Sequence, residues 1–309
     1  MLLSTDLREE LATIAPEREC CRLAEVSALL HTSGAWHLRA DGVAVHLDLG
    51  NAAAVRRAFT LLRDLGVRSE VRTYRRQAFE RATRYQLHVA VDADALEVLR
   101  QAGVLSPSGA PLELPPKRVI GRSCCRAAYL RGALLGSGSL SGPRDPHLEL
   151  RAGTLAGAQL LADVAAREDV PLKVAVRRNH AVAYAKRHEA ILDLLALTGA
   201  GETALRLEED AVVAATRAEA NRLANADEAN LLRTAHAAHR QLEAIRAVGP
   251  ENLAPALAEV AELRLRHPSA SLRELAGKAR PPLTKGTVQR RLEAIVGQAH
   301  LQGGVGPGI

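Results

Sequence analysis

Apolar residues in the first hundred positions switch repeatedly between the spacing of a helix and that of a strand. An apolar helix is predicted from Cys20 to about Thr32, where Ser33-Gly34 ends it. Two alternating runs flank Asp41-Gly42, a dipeptide that indicates a β-hairpin. The predicted elements after the first helix are strands 36–39 and 43–49, helix 52–65, strands 67–74 and 85–91, and helix 92–102. The order is therefore αββαββα.

The next hundred residues repeat this pattern after a linker rich in proline and glycine, Ser106 to Pro116. A second apolar helix is predicted from Cys124 to Leu135, and a glycine-rich segment follows it. The remaining predicted elements are strand 147–151, helix 154–168, hairpin strands 172–177 and 180–184, and helix 186–197. The second region thus follows the order of the first, with the glycine-rich segment in place of the first strand.

The first helices of the two regions also share sequence. The stretch CCRLAEVSALLHTSGAW begins at Cys20, and CCRAAYLRGALLGSGSL begins 104 residues later, at Cys124. No gap is needed to align them. The identical positions of the first copy are Cys20, Cys21, Arg22, Ala24, Leu30, Ser33 and Gly34. A repeat on this scale predicts a duplicated domain.

Strand patterns stop after this duplicated region. An alanine-rich helical segment is predicted from Glu208 to about Val248, with a break near Asn225-Ala226-Asp227. Three further helices are predicted at 251–266, 271–279 and 284–299, and a frayed tail follows from His300. The predicted domains are 1–105 and 106–206 for the two halves, 207–249 for a helical linker, 250–303 for a helical domain and 304–309 for a disordered tail.

Composition narrows the classes of function. The chain has 309 residues, 47% of them apolar, and a formal net charge of +6, which favours an anionic partner. The four cysteines form two adjacent pairs without a CxxC spacing, so neither a metal site nor a cofactor is expected. No signal peptide or membrane-spanning run is apparent, which predicts a reduced, cytoplasmic protein.

The C-terminal helices predict a helix-turn-helix. Ser271 and Glu274 form a capping box, and Arg280-Pro281-Pro282-Leu283 forces a turn. In the helix after it, Val288, Leu292 and Ile295 are spaced to face inward. The predicted DNA-binding residues are Arg280, Thr284, Lys285, Thr287, Gln289, Arg290 and Arg291. A three-helix protein-interaction module with a basic surface is the alternative.

Basic residues also crowd one predicted hairpin in each half of the duplicated region. Candidate contacts to the DNA backbone are Arg72, Arg75, Arg76, Arg81 and Arg84 in the first half, and Lys173, Arg177 and Arg178 in the second. Such groups neutralise phosphates and give affinity without sequence choice. An ordinary solvated basic surface is the alternative.

The helix-then-glycine motif and the αββαββα order resemble the LAGLIDADG homing endonuclease fold. The fold class is therefore α+β: a duplicated LAGLIDADG-like domain followed by an all-α helix-turn-helix domain. In that fold the two motif helices pack side by side, and the short side chains of Ala28 and Gly132 fit a close crossing. The resemblance places Ser33 and Ser137 where active nucleases carry acids that hold Mg²⁺, so no catalytic residue is expected.

Stretches along nearly the whole chain resemble the WhiA family of bacterial regulators. They are Arg131-Gly132 through Gly138, Tyr184-Ala185-Lys186 with Glu189, Asn221-Arg222 with Asn225, Glu228 to Leu231, Ala261 to Leu265 with His267-Pro268, and Pro281 to Lys285. One departure is Thr287-Val288-Gln289, where the family often has a Gly-Val-Asn-like sequence.

The resemblance implies a DNA-binding transcription regulator without nuclease activity, linked to sporulation or to cell division and chromosome segregation. Double-stranded DNA is the expected partner. Two alternatives stay open: an adaptor that binds a sigma factor or a second regulator through the duplicated domain, and an active homing endonuclease. The sequence leaves the oligomeric state open, with a monomer favoured, and no membrane partner is expected.

Overall fold

The computed structural model describes residues 2–39, 42–75, 83–142 and 145–303 of the chain. A short helix precedes the first repeat, which then has the predicted αββαββα order. Its elements are α1 (Leu2–Thr13), α2 (Glu19–Ser33), β1 (Gly34–Arg39), β2 (Gly42–Leu49), α3 (Ala52–Asp64), β3 (Ser69–Arg75), β4 (Thr83–Val89) and α4 (Ala93–Gln101). The four strands form one antiparallel sheet in the order β1-β2-β4-β3.

The second repeat has the same architecture and follows a 3₁₀ turn at Lys117–Ile120. Its elements are α5 (Ser123–Ser137), β5 (Gly138–Ser141), β6 (His147–Ala152), α6 (Leu155–Ala166), β7 (Lys173–Val176), β8 (Ala181–Ala185) and α7 (His188–Thr198). The sheet order β5-β6-β8-β7 matches that of the first sheet strand for strand. The predicted α+β duplication is confirmed.

Helices make up the rest of the described chain. They are α8 (Gly201–Val248), a 3₁₀ turn at Pro250–Asn252, α9 (Pro255–Arg266), α10 (Leu272–Lys278) and α11 (Lys285–Gly303). Two compact units result, residues 1–214 and 215–309, with the boundary inside α8. No helix in the described ranges is both long enough and apolar enough to span a membrane.

Four local features differ from the sequence predictions. Helix α1 was not predicted, and a strand, β5, occupies part of the glycine-rich segment after α5. Helix α8 continues through Asn225 and Asp227, because these polar residues lie on an exposed helix among alanines and other strong helix formers. Helix α11 extends to Gly303, three residues beyond the predicted start of the tail; residues 304–309 lie outside the described part.

Helices α2 and α5 cross closely at the centre of the first unit. A methyl group added at Gly132 would lie 2.4 Å from the Glu25 carbonyl oxygen and 3.0 Å from Cβ of Ala28. Ala28 and Gly132 occupy equivalent positions in the two repeats, 104 residues apart. Equivalent residues meet each other only near an axis that relates two repeats, so this crossing marks a pseudo-two-fold axis between the halves.

A buried carboxylate also joins the two halves. Glu25 of α2 accepts hydrogen bonds from Nε of Arg57 in α3 and from Nε of Arg131 in α5, each at 2.9 Å. All three side chains are at least nine-tenths buried. The sequence did not point to this ion triad, because a single acid inside an apolar helix shows nothing of the bases that the fold brings to it.

A separate apolar core holds the helices of the second unit together. Val288, Leu292 and Ile295 of α11 are fully buried in it, as their spacing predicted. Buried Arg264 of α9 donates to the Ala270 carbonyl at 2.5 Å, which fastens the turn that leads into α10. The apolar stripe of α11 thereby leaves its opposite side facing solvent.

Candidate nucleic-acid interface

The short helix α10 begins with the predicted capping box. The Glu274 amide donates to Oγ of Ser271 at 3.2 Å, and the Ser271 amide donates to the Glu274 carboxylate at 2.7 Å. That backbone amide lowers the pKa of Glu274. The cap fixes where α10 starts, and the turn after Lys278 then sets the start of α11.

Two of the predicted DNA-binding residues help to begin α11. The Thr287 amide donates to Oγ1 of Thr284 at 3.2 Å, which makes Thr284 the capping residue. The two threonine hydroxyl groups also hydrogen-bond to each other at 2.9 Å. Both residues therefore have a structural role at the helix start.

Three polar residues lie on the exposed side of α11. Lys285, Gln289 and Arg290 are exposed, and Arg280 is exposed in the turn before the helix. Gln289 donates from Nε2 to the Glu293 carboxylate at 2.9 Å. Within the described ranges, neither Lys285 nor Arg290 has an ion-pair partner, so both cations are available to an anionic ligand.

Arg291 has a different environment from its neighbour Arg290. Its guanidinium donates to the Glu259 carboxylate of α9 at 3.0 Å, and its side chain is only 24% exposed. The ion pair fastens α11 to α9 and already offsets the charge of Arg291. The predicted DNA-binding role for this residue therefore competes with a structural one.

The first sheet has one face against helices and one open face. Val45, Leu47, Leu87 and Val89 lie in the core, so the alternate residues face away from the helices. By register, this first open face includes His46, Asp48, Glu70, Arg72, Tyr74, Arg84, Gln86 and His88. In a LAGLIDADG-like fold that binds DNA, this open face of the sheet would lie against the DNA.

The candidate arginines on the first open face differ in their partners. Arg72 forms an exposed ion pair with Glu70 at 3.0 Å, which lowers the pKa of Glu70. Half-buried Arg84 has no ion-pair partner among the described residues. Burial lowers the pKa of nearby Arg8, and the positive charge of Arg84 lowers it further. Arg84 is thus an uncompensated cation among the described residues of this face.

Three predicted residues of the first hairpin cannot be placed as side chains. Arg75 ends β3 opposite Thr83, but its side chain lies outside the described part. Arg76 and Arg81 fall in residues 76–82, which are also outside it. Their roles stay predictions.

A row of stacked histidines crosses the first open face. The rings of His37 and His46 lie 4.7 Å apart and nearly parallel, with Nε2 of His37 3.0 Å from Nδ1 of His46. The ring of His88 lies 5.3 Å from that of His46. Burial and then the neighbouring His37 lower the pKa of His46. The row brings together residues from three strands that sequence spacing did not connect.

The open face of the second sheet carries its own charge pairs. Glu149 accepts from Nε2 of His147 at 2.8 Å and from Arg177 at 3.1 Å. Burial alone would raise the pKa of Glu149, but these two hydrogen bonds lower it. Lys173 and Arg178 are exposed and have no ion-pair partner in the described ranges. They are the available cations of this hairpin.

The motif-helix ends carry hydroxyl groups where carboxylates would hold a catalytic metal. Ser33 and Ser137 are the last residues of α2 and α5. The Ser137 hydroxyl lies 2.7 Å from the Arg151 carbonyl oxygen, to which it donates. Among the described residues, no group of carboxylates and imidazoles near these ends is compact enough to hold a metal ion.

The opposite ends of the same helices bring the four cysteines together. The Sγ atoms of Cys20, Cys21, Cys124 and Cys125 all lie within 4.8 Å of one another. The missing CxxC spacing suggested that no metal site exists, but that reasoning fails here because each helix supplies one adjacent pair. Tertiary structure assembles a four-thiol cluster that neither pair indicates alone.

Comparisons with known proteins match three successive regions of the chain. The sequence matches the WhiA N-terminal LAGLIDADG-like domain over residues 19–105, the WhiA LAGLIDADG-like domain over 126–217 and the WhiA C-terminal HTH domain over 220–297. A protein named probable cell division protein WhiA from Heliobacterium modesticaldum is 36% identical, with 99% of each chain covered. A protein of the same name from Symbiobacterium thermophilum is 34% identical over 96% of this chain and 97% of its own.

A solved structure supports the fold. The crystal structure of full-length WhiA from Thermatoga maritima superposes with a TM-score of 0.56 at 24% identity, covering 96% of this chain and 97% of that one. The predicted family resemblance is confirmed by the three domain matches and by the full-length relatives. The chain belongs to the WhiA family.

Proposed function

We propose that this protein is a sequence-specific DNA-binding transcription regulator that reads DNA with helix α11 and cleaves none. One observation carries the proposal: exposed Lys285 and Arg290 stand without ion-pair partners, within the described ranges, on the solvent side of a capped helix-turn-helix. A recognition helix needs this arrangement, because its N-terminal residues enter the major groove and meet base edges and phosphates.

The names of the relatives support a role in cell division. Curated relatives at 34–36% identity are called probable cell division proteins, and they match nearly the whole chain. We propose that the genes controlled by this protein act in division and chromosome segregation, or in sporulation, and that it works on the nucleoid in the cytoplasm.

Sequence-specific binding is tested by using the full-length protein to select duplexes from a pool of random DNA sequences. We expect one motif to be enriched, and Arg290→Ala should abolish the enrichment while Arg266→Ala retains it. Arg266 is a matched control, since it is an exposed arginine of α9 paired with Glu262. Equal enrichment by both variants, or none by the wild type, would contradict the proposal.

The absence of cleavage needs its own test. Ser33 and Ser137 supply hydroxyl groups, which are poor ligands for Mg²⁺ compared with carboxylates. Incubation of the full chain with the same pool and Mg²⁺ or Mn²⁺ should leave the duplexes intact. Cutting that stops on addition of a chelator would show an active nuclease instead.

A second candidate function is an adaptor that docks a sigma factor or another regulator on the duplicated domain. The ion pairs Arg72–Glu70 and Arg177–Glu149 favour it, because they offset much of the positive charge that DNA would need on the open faces. Capture of partners by the full chain, before and after nuclease treatment, separates the functions. Capture that survives nuclease supports the adaptor, and capture that disappears indicates bridging by DNA.

A further inference from the structure

The four-thiol cluster has the composition and compactness of a metal site. Cys20 and Cys21 lie in the first turn of α2, and Cys124 and Cys125 lie in the first turn of α5. Their Sγ atoms all fall within 4.8 Å of one another, and those of Cys124 and Cys125 are 4.0 Å apart. Tetrahedral zinc, with Zn–S bonds of about 2.3 Å, needs sulfurs about 3.8 Å apart, so small rotations of the side chains suffice.

The internal repeat gives an independent reason to regard the cluster as a unit. Cys20 and Cys21 are the repeat equivalents of Cys124 and Cys125, and the four thiols surround the pseudo-two-fold axis marked by the Ala28–Gly132 crossing. The two copies have diverged at most positions between their cysteines and their glycines, yet both keep the pair. A pair from each half completes a tetrahedron, whereas either half alone offers only two ligands.

The surroundings of the cluster suit negative charge. Four thiolates around a divalent cation carry a net charge of −2. Arg18 extends Nη1 to within 3.7 Å of Cys124 Sγ, and Arg122 occupies the equivalent position before α5. Both residues precede their helices without providing a side-chain cap. The sulfurs thus lie at the N-terminal ends of two helices, where the helix dipole carries partial positive charge.

The site is also reachable and of the right size for one ion. Cys21 and Cys125 are buried, whereas Cys20 and Cys124 are partly exposed. Cys20, Leu23 and Val119 line a surface cavity of about 270 Å³, which reaches the cluster at Cys20. An iron–sulfur cluster places its ligands farther apart than these sulfurs lie, because inorganic iron and sulfide separate them. The spacing fits a single tetrahedral ion.

We propose that Cys20, Cys21, Cys124 and Cys125 bind one zinc ion that fastens α2 to α5. Binding replaces four S–H bonds with four Zn–S bonds and releases four protons, so no electron is transferred. Softness of the ligands favours zinc or iron over Mg²⁺ and Ca²⁺. The ion would act as a staple between the two halves of the duplicated domain, at the end of the helices opposite Ser33 and Ser137.

Metal analysis of the full-length protein, purified under reducing conditions without chelator, tests the site. We expect about one zinc ion per chain in the wild type and a loss of at least tenfold in the double variant Cys20→Ser/Cys124→Ser. These two cysteines are chosen because they are partly exposed, so the variant keeps both buried thiols. His239→Ala, which removes an exposed histidine of α8, should keep its zinc.

Cobalt replacement of the ion gives a readout that does not depend on the stability of a variant. Co²⁺ added to the stripped, reduced wild type should produce thiolate-to-cobalt charge-transfer bands and intense tetrahedral d–d bands, which Zn²⁺ then removes. Lack of these bands would overturn the proposal. Finding fewer than four alkylatable thiols in fresh, metal-free protein would also overturn it, since that result indicates disulfides. If the metal analysis found iron instead of zinc, the four-cysteine site would stand and the identification of its ion as zinc would be wrong.

Discussion

Arg131 of the second half donates from Nε to the Glu25 carboxylate of the first half at 2.9 Å, with Glu25 fully buried. Arg57 supplies the second guanidinium to the same carboxylate. Burial of a charged group costs several kcal/mol of desolvation, so it is tolerated only when the oppositely charged partners are in place. The triad therefore makes the joint between the halves sensitive to loss of any single member.

Removal of one member should destabilise the first unit strongly. Glu25→Gln leaves two buried guanidinium groups without their carboxylate, so the free energy of unfolding should fall by about 3–5 kcal/mol. Arg187→Met breaks an exposed ion pair with Glu189 and should cost at most about 1 kcal/mol. Urea unfolding followed by circular dichroism measures both. Similar losses for the buried and the exposed variants would mean that the triad has no special role.

The close helix crossing makes a second prediction about stability. Gly132→Ala places a methyl group 2.4 Å from the Glu25 carbonyl oxygen, so the helices must separate, at a cost of roughly 1–3 kcal/mol. Gly297→Ala in α11 meets nothing within 4 Å and should stabilise its helix by roughly 0.5–1 kcal/mol. Thermal unfolding of the two variants should shift the transition in opposite directions. A shift of the same sign would show that the crossing can relax.

Substitution of the neighbouring Arg290 and Arg291 of α11 should affect different properties, DNA binding in one case and stability in the other. Arg290→Ala removes an exposed cation that has no ion-pair partner in the described part of the chain, and it should cost roughly 1–3 kcal/mol of binding at the selected DNA site, with little effect on folding. Arg291→Ala breaks the pair with Glu259 and should lower the unfolding temperature of the second unit. Titrations on specific and random duplexes, beside thermal unfolding, separate the effects. If the Arg291 variant lost DNA specificity but kept its stability, Arg291 would contact DNA and would not have the structural role given to it here.

Salt dependence should reveal whether the open faces touch DNA. Arg84→Ala and Lys173→Ala remove cations without ion-pair partners in the described ranges, so each should flatten the log–log salt slope by up to roughly 0.9 and weaken all sequences alike. Arg72→Ala should change the slope less, because Glu70 already offsets its charge. An unchanged slope in all three variants would mean that the open faces do not contact DNA, which favours the adaptor function.

His31 should make stability depend on pH near neutrality. Burial lowers its pKa, although the Ser27 carbonyl, which accepts from its ring at 2.8 Å, opposes the shift. The folded imidazole is neutral where the unfolded one takes up a proton, below about pH 6.5. The free energy of unfolding should therefore fall as pH drops through 6.5 toward the lowered pKa.

Replacement of His31 separates this effect from the titration of carboxyl groups. The pKa values of Glu149 and Glu274 are lowered, so their contributions disappear only at more acidic pH, as those groups gain protons. His31→Gln should flatten the stability profile just below pH 6.5, and His239→Gln, at an exposed site, should leave it unchanged. A profile that keeps its slope in the His31 variant would show that other groups cause it.

Sequence patterns predicted most of the helices and strands because amphipathic periods and turn residues are local signals. Helix α1 had such a signal, since Leu3, Leu7 and Leu11 recur every four residues and are buried. Strand β5 was hidden because Gly138-Ser139 has the composition of a loop. The resemblance to the LAGLIDADG fold supplied the side-by-side packing of the two motif helices, whereas capping, turn and apolar spacing predicted the helix-turn-helix.

The candidate site was predictable only in part. The capping box and the inward face of α11 follow from spacing, and both are confirmed. The ion pair of Arg291 with Glu259, the histidine row and the four-thiol cluster join residues that lie on different helices or strands. Spacing along one element cannot show such meetings, because they arise from strand pairing and from helices that approach in three dimensions.

The Glu25–Arg131 pair makes the two halves of the duplicated domain non-interchangeable. The repeat equivalents of these positions are Tyr129 and Ser27, so each half holds one member of the pair and lacks the other. Two first halves joined across the same axis would lose the Arg131 guanidinium, and two second halves would bury a pair of such cations without a carboxylate. The buried pair therefore forms only when one half of each kind is present, so neither half can replace the other.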